Sequence, residues 1–137
     1  MADVINASGV HHITVTVTNV ERSRVFYEQL LGFQKVAEFG PRAVMNNGNL
    51  TLVLTPPPDP AQAIEDDYFN ENRVGLDHLS LAVDSREVLE QAIQLFEKQG
   101  VDHGDIKDLG QGFGIYVLAF RDPDNIQLEL TAPYAAA

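Results

Sequence analysis

From Val10 to Val17 apolar and polar side chains alternate, with Ile13, Val15 and Val17 on one face and His12, Thr14 and Thr16 on the other. A period of two belongs to a strand with one face buried. That face needs a partner, and Val20 to Leu31 supplies it: Val25, Phe26 and Leu30 recur near helical spacing, Asn19 stands where a cap belongs, and Gly32 where the helix should stop. Strands are expected next near Phe33 to Phe39, Arg42 to Asn46 and Leu50 to Thr55, turning at Gly40-Pro41 and Asn47-Gly48. Pro56-Pro57-Pro58 and Pro60 then end the sheet, because proline has no amide hydrogen to donate to a neighbouring strand. A linker runs from there to about Gly75, and within it Ala61 to Tyr68 predicts a short acidic helix.

After the linker the same order begins again. Leu79, Leu81 and Val83 form an apolar face opposite His78, Ser80 and Ala82; Asp84 or Ser85 can cap a helix striped by Val88, Leu89, Ala92, Ile93, Leu95 and Phe96 and ended by Gly100. Further strands are expected near Asp102 to Leu109, Phe113 to Phe120 and Ile126 to Thr131. His12 and His78 stand about half a chain apart, which an internal βαβββ duplication explains better than two unrelated halves. The expected fold class is α+β, built as one domain over residues 1–137, with module 1 at about 8–55, a linker at about 56–75 and module 2 at about 76–133.

Composition narrows the class. A chain of 137 residues, 45% hydrophobic, can bury one ordinary core. Cysteine is absent, which excludes disulfides and thiolate metal ligands and fits a reducing cytoplasm, the expected location. No apolar run is long enough to span a bilayer, and Met1-Ala2-Asp3 lacks the basic and apolar stretches of a signal peptide. The formal charge of −11 repels nucleic acid and anionic membranes, so neither is an expected partner. That charge serves either solubility or the attraction of a cationic ligand.

The chemistry is concentrated in three strand segments. In the last of them Ile126, Leu128 and Leu130 are apolar, leaving Gln127, Glu129 and Thr131 on the other face. His12, His78 and Glu129 therefore occupy equivalent polar positions, and if the sheet curves they can converge. Two imidazoles and a carboxylate suit a divalent first-row metal and leave coordination positions open for substrate. The competing reading makes the histidines hydrogen-bonded strand residues and puts Glu129 in solvent. His11 should point away from His12, across the strand. His103, beside Gly104, is expected in an exposed loop, with a base supporting the site as the alternative.

Three stretches give the chain a family resemblance. His12-Ile13-Thr14-Val15-Thr16-Val17-Thr18-Asn19-Val20, Arg24-Val25-Phe26-Tyr27-Glu28-Gln29-Leu30-Leu31-Gly32-Phe33 and Asp122-Pro123-Asp124-Asn125-Ile126-Gln127-Leu128-Glu129-Leu130 resemble the histidine strand, the helix end and the DPDGN…EL terminal strand of the vicinal oxygen chelate superfamily. That superfamily includes glyoxalase I, extradiol dioxygenases, fosfomycin-resistance thiol transferases, methylmalonyl-CoA epimerase and bleomycin-binding proteins. The resemblance implies two βαβββ modules forming a curved mixed sheet around a metal-binding cup, with His12, His78 and Glu129 as ligands to one divalent ion, Fe, Mn, Zn or Ni undistinguished. Asn125 replaces the motif's glycine and can take the same left-handed turn conformation.

Two departures bear on activity. Glyoxalase I and the epimerases carry a fourth ligand, a glutamate, on the strand that here offers Thr51, Val53 and Thr55 to the cup if its leucines pack on the helix. Extradiol dioxygenases and fosfomycin-modifying enzymes commonly carry a tyrosine whose position falls here on Ala119, with Tyr116 nearby on the other face, and Arg121 is the single cationic candidate close to the cup. The expected function is a mononuclear metalloenzyme performing lyase, isomerase or ring-cleaving dioxygenase chemistry on a small oxygen-bearing substrate, as a homodimer. Thr14, Thr51, Val53, Ser80, Ala119, Arg121 and Gln127 are expected to face the substrate, and Thr16 and Thr131 to line the cup beside them. The alternative is a bleomycin-resistance-like protein that sequesters its ligand without catalysis.

Overall fold

The computed structural model describes residues 4–135; Met1-Ala2-Asp3, where no targeting segment is expected, lies outside the described residues. The chain divides into two compact units between Ala63 and Ile64, inside the expected linker. In the first unit the order is β1 (Ile13–Thr16), α1 (Val20–Leu31), β2 (Gln34–Phe39), β3 (Arg42–Asn46) and β4 (Thr51–Thr55). The second repeats it as β5 (Leu79–Ala82), α2 (Arg86–Gln99), β6 (Lys107–Asp108), β7 (Ile115–Arg121) and β8 (Gln127–Pro133). Each unit holds a four-stranded mixed sheet, ordered β1-β4-β3-β2 and β5-β8-β7-β6, with the first strand parallel to the last. The chain is thus α+β, built from paired βαβββ modules.

Corresponding bonds recur in both modules. The amide of Val17 donates to the Thr55 carbonyl at 2.9 Å, and that of Val83 to the Thr131 carbonyl at 2.9 Å, so each first strand is tied past its end to its last. Both helices stop at a glycine in the left-handed region, Gly32 at φ 70° and Gly100 at φ 69°, where an L side chain would be strained. At the start of α1, Asn19 Oδ1 accepts from the Arg22 amide at 2.9 Å. Ser85 occupies the equivalent place before α2, but its side chain makes no capping bond.

Within unit 1 the buried helix face is Ser23 and Tyr27, not the expected Val25, Phe26 and Leu30, which are half-buried. Tyr27 brings the larger ring and packs edge-on against Phe33 at 6.1 Å, while Met45, Leu52 and Leu54 complete the core. Within unit 2, Leu89 and Phe96 of α2 are buried with Leu118, Phe120, Leu128 and Leu130, and the Phe96 and Phe120 rings stack at 4.5 Å.

Three expectations fail. The acidic helix over Ala61 to Tyr68 is only a 3₁₀ turn at Pro60–Gln62, started by the Asp59 carboxylate, because the segment has no apolar stripe to bury. The strand near Asp102 to Leu109 shrinks to Lys107–Asp108 plus an isolated bridge from His103 to Phe120. His103 is accordingly no exposed loop residue: its side chain is 16% exposed and its ring lies 5.9 Å from Phe96, on the helix side of the sheet.

Candidate functional site

In β8 every second residue, Leu128, Leu130 and Ala132, is buried, and the residues between them, Gln127, Glu129 and Thr131, are presented on the opposite face. Register sets their neighbours. Glu129 is flanked by Ser80 of β5 and Ala119 of β7, Gln127 by Arg121, and Thr131 by Ala82 and Val117. Tyr116 pairs with Ala132 and stacks on Tyr134 at 4.7 Å, so it belongs to the other face, as the alternation implies.

His78 immediately precedes β5, and its Nε2 lies 3.6 Å from Glu129 Oε1. That is too long for a hydrogen bond, yet it is a separation that two ligands of one ion can keep when each metal–ligand bond is about 2.0–2.2 Å. The far nitrogen of His78 is already held, and the Glu129 oxygen that faces the ring is itself hydrogen-bonded. His78 Nδ1 stands 2.8 Å from Asp77 Oδ1, a contact in which the ring nitrogen is the donor whenever the carboxylate is ionised. Glu129 Oε1 accepts from Thr131 Oγ1 at 3.3 Å, and the Ser80 hydroxyl bonds Thr131 in turn. Glu129 is half-buried, its side chain 19% exposed, which removes the reading that places it in solvent. The chemistry of these two donors, their spacing and the Asp77 contact behind His78 fit part of a divalent-ion site.

Unit 1 carries the third candidate. His12 lies exposed just ahead of β1, and its Nδ1 is 2.9 Å from His11 Nδ1, so one ring must donate and the other accept. The expectation that His11 points away fails because the strand starts only at Ile13, which leaves both histidines outside the pleat. Thr14 is in register with Val53, and Thr51 lies two residues from Val53 on the same face, accepting from Asn46 Nδ2 at 3.0 Å. Leu52 and Leu54 are fully buried, so the opposite face does receive Thr51 and Val53; Thr55 is itself buried and donates to the Pro56 carbonyl at 2.8 Å. Among the described residues no group of three histidine, aspartate or glutamate side chains stands close enough together to hold a metal.

Arg121, the cationic candidate beside the cup, is already engaged. Its guanidinium meets both carboxylate oxygens of Glu71, at 2.8 and 3.0 Å, and also donates to the Asn125 carbonyl at 3.2 Å. The Arg121 hydrogen bonds hold the Glu71 carboxyl well below its ordinary range, at about 2. Two residues of this face were missed from sequence. Asp77 was signalled only by its place next to His78, and Glu71, far off in the linker, was not signalled at all.

The family model of the Glyoxalase/Bleomycin resistance protein/Dioxygenase superfamily matches residues 9–130. The chain belongs to this superfamily. It is 29% identical to the uncharacterized protein YqjT of Bacillus subtilis (strain 168) over 129 residues, 90% of this chain and 98% of that protein. Among solved structures it is similar to a superfamily domain from Frankia sp. EAN1pec, described as glyoxylase/bleomycin resistance protein/dioxygenase, with TM-score 0.79, 28% identity and 96% coverage of each chain. It also shares its fold with the fosfomycin resistance protein FosX of Listeria monocytogenes complexed with Mn(II) and sulfate, with TM-score 0.71 and 19% identity over 93% of this chain and 92% of that one. Superfamily membership accounts for the duplicated module and for the DPD-Asn turn, in which Asp122 Oδ1 accepts from the amides of Asp124 and Ile126 at 2.8 and 2.9 Å and Asn125 takes φ 64°.

Proposed function

We propose that this superfamily member is a mononuclear metalloenzyme whose His12, His78 and Glu129 hold one divalent ion. The carrying observation is the approach of His78 Nε2 to Glu129 Oε1 at 3.6 Å, with His78 Nδ1 engaged by Asp77 and that same Glu129 oxygen hydrogen-bonded by Thr131. A divalent ion bound there supplies Lewis acidity toward an enolate-like or catecholate-like oxygen of a small substrate, the requirement shared by lyase, isomerase and ring-cleaving dioxygenase chemistry. Thr14, Thr51, Val53, Ser80, Ala119 and Gln127 are the residues proposed to face that substrate. Arg121, committed to Glu71, leaves the unit 2 face without a free guanidinium for a phosphonate, which favours an oxygen-chelating substrate over one of the fosfomycin type.

Metal content tests the reading. After anaerobic incubation with Fe(II), Mn(II), Zn(II) or Ni(II) and removal of excess ion, elemental analysis is expected to return one ion per chain. His78→Ala and Glu129→Ala should each abolish it, and His12→Ala should weaken it by at least tenfold. Wild-type protein that retains none of the four ions refutes the enzyme reading. The loaded protein is then assayed against catechols, 2-oxoaldehyde–thiol adducts and fosfomycin, with turnover expected of one of the first two.

A further inference from the structure

Asp77 accepts two hydrogen bonds at a single oxygen. Its Oδ1 takes one from His78 Nδ1 at 2.8 Å and one from Gln127 Nε2 at 2.8 Å. The orientation of the Gln127 amide is itself fixed, since Nε2 faces a carboxylate and Oε1 faces Arg121 Nη2 at 3.4 Å. Arg121 is held in turn by both oxygens of Glu71. Glu71 is secured through its neighbour Phe69, whose amide donates to the Asp124 carbonyl at 2.8 Å and whose carbonyl accepts from Asn125 Nδ2 at 2.9 Å. A continuous polar chain therefore runs from the linker through Glu71, Arg121, Gln127 and Asp77 to His78.

We propose that Asp77 is a positioning residue that locks His78 into the Nδ1–H tautomer, and that Gln127, Arg121 and Glu71 hold Asp77 in place to do so. In this role, which rests on the reading of His78 and Glu129 as metal ligands, Asp77 turns the bare Nε2 toward Glu129. The need for it is physical. A neutral imidazole left in water prefers its hydrogen on Nε2, the atom that must be free to coordinate a metal. His78 is partly exposed, at 37% of its side chain, so burial does not choose the tautomer for it. A carboxylate on Nδ1 does, because it cannot donate and accepts only from an N–H. Asp77 is 64% exposed and belongs to no strand; without Gln127 its side chain would have several rotamers and no reason to favour this one. The linker thus acts on the face: Phe69 to Glu71 lie remote in sequence from Arg121 and Asn125, yet decide where Asp77 stands.

The test reads the ring directly, in metal-free protein, by long-range proton–nitrogen correlation NMR of ¹⁵N-histidine-labelled samples at a pH where imidazole is neutral. Wild type is expected to show His78 as Nδ1–H. Asp77→Ala should convert it to predominantly Nε2–H, Asp77→Asn should retain Nδ1–H because its amide oxygen still accepts, and Gln127→Leu should give a mixture. Affinity for Mn(II) should fall ~10–100-fold in Asp77→Ala and recover in Asp77→Asn, with the thermal midpoint unmoved. His78 found as Nε2–H in wild type, or unchanged in Asp77→Ala, overturns the assignment. If the tautomer follows Asp77 as expected but no variant or wild-type sample binds Mn(II), the positioning role stands and the metal reading falls. If Mn(II) binds equally to wild type and Asp77→Ala, the metal reading survives and the positioning role falls.

Discussion

Tyr134 donates its phenolic hydrogen to Asp108, which also accepts from the Gly110 amide at 2.8 Å. The bond to Asp108 raises the Tyr134 pKa from 10.0 to about 12, with desolvation adding to it, and holds the Asp108 carboxyl below its ordinary value. A phenol whose folded pKa is raised contributes stability that is complete below its unfolded value and is lost as pH rises through the folded one. In an alkaline titration followed by tyrosinate absorbance, one of the four tyrosines is therefore expected to ionise near pH 12, about two units later than an unperturbed phenol. Asp108→Asn should return it toward ordinary behaviour and remove the extra loss of stability above pH 10; an unchanged titration counts against the bond. Nothing in the sequence pairs these residues. They meet because β6 lies beside β7 and β8 delivers Tyr134 to the turn end of that hairpin, where its amide donates to the Gly114 carbonyl at 2.8 Å.

At the scale of elements, helix ends were the most legible features. Asn19 and Gly32 bound α1 where the residue types placed them, because capping depends on local backbone conformation and nearby amides, which the sequence alone supplies. Gly32 sits at φ 70° with nothing within 4 Å of where a Cβ would stand, so Gly32→Ala pays only in backbone strain. Its expected cost is about 1 kcal/mol, a fall in Tm of roughly 4 °C, with Gly32→Asn losing about half as much because Asn tolerates the left-handed region. Equal losses for Ala and Asn, read by thermal denaturation, contradict this account. The inward helix face was less legible. Ser23 and Tyr27 are buried while Val25, Phe26 and Leu30 stay half-buried, because the sheet beneath α1 accepts the Tyr27 ring beside Phe33. Likewise β6 is a two-residue strand, although its sequence offers a longer apolar–polar stretch, because pairing needs a neighbour and β7 runs beside it only from Lys107 to Asp108.

For the molecule as a whole, the large apolar side chains left exposed include Val36 and Phe39 on the edge strand of unit 1, and Tyr68, Val74, Leu76 and Phe113 in unit 2. Apolar residues scattered singly at this exposure are ordinary surface and mark no interface by themselves, so the expected homodimer rests on the superfamily reading. Sedimentation equilibrium is expected to return twice the chain mass across the micromolar range, and a monomer throughout that range would falsify the expected homodimer. The sequence by itself determined the duplicated βαβββ pattern, the helix ends, and the placing of His78, Ser80, Gln127 and Glu129 on one polar face. Periodicity encodes which way successive side chains point, so a chain read alone can say which residues share a face. Only the tertiary structure decided which partners these side chains take: that Arg121 is taken by Glu71, that Asp77 lies between His78 and Gln127, and that Tyr116 belongs with Tyr134. Glu71 meets Arg121, Gln127 meets Asp77 and Tyr116 meets Tyr134 across long stretches of sequence, through strand register and turn geometry, and no local pattern carries that information.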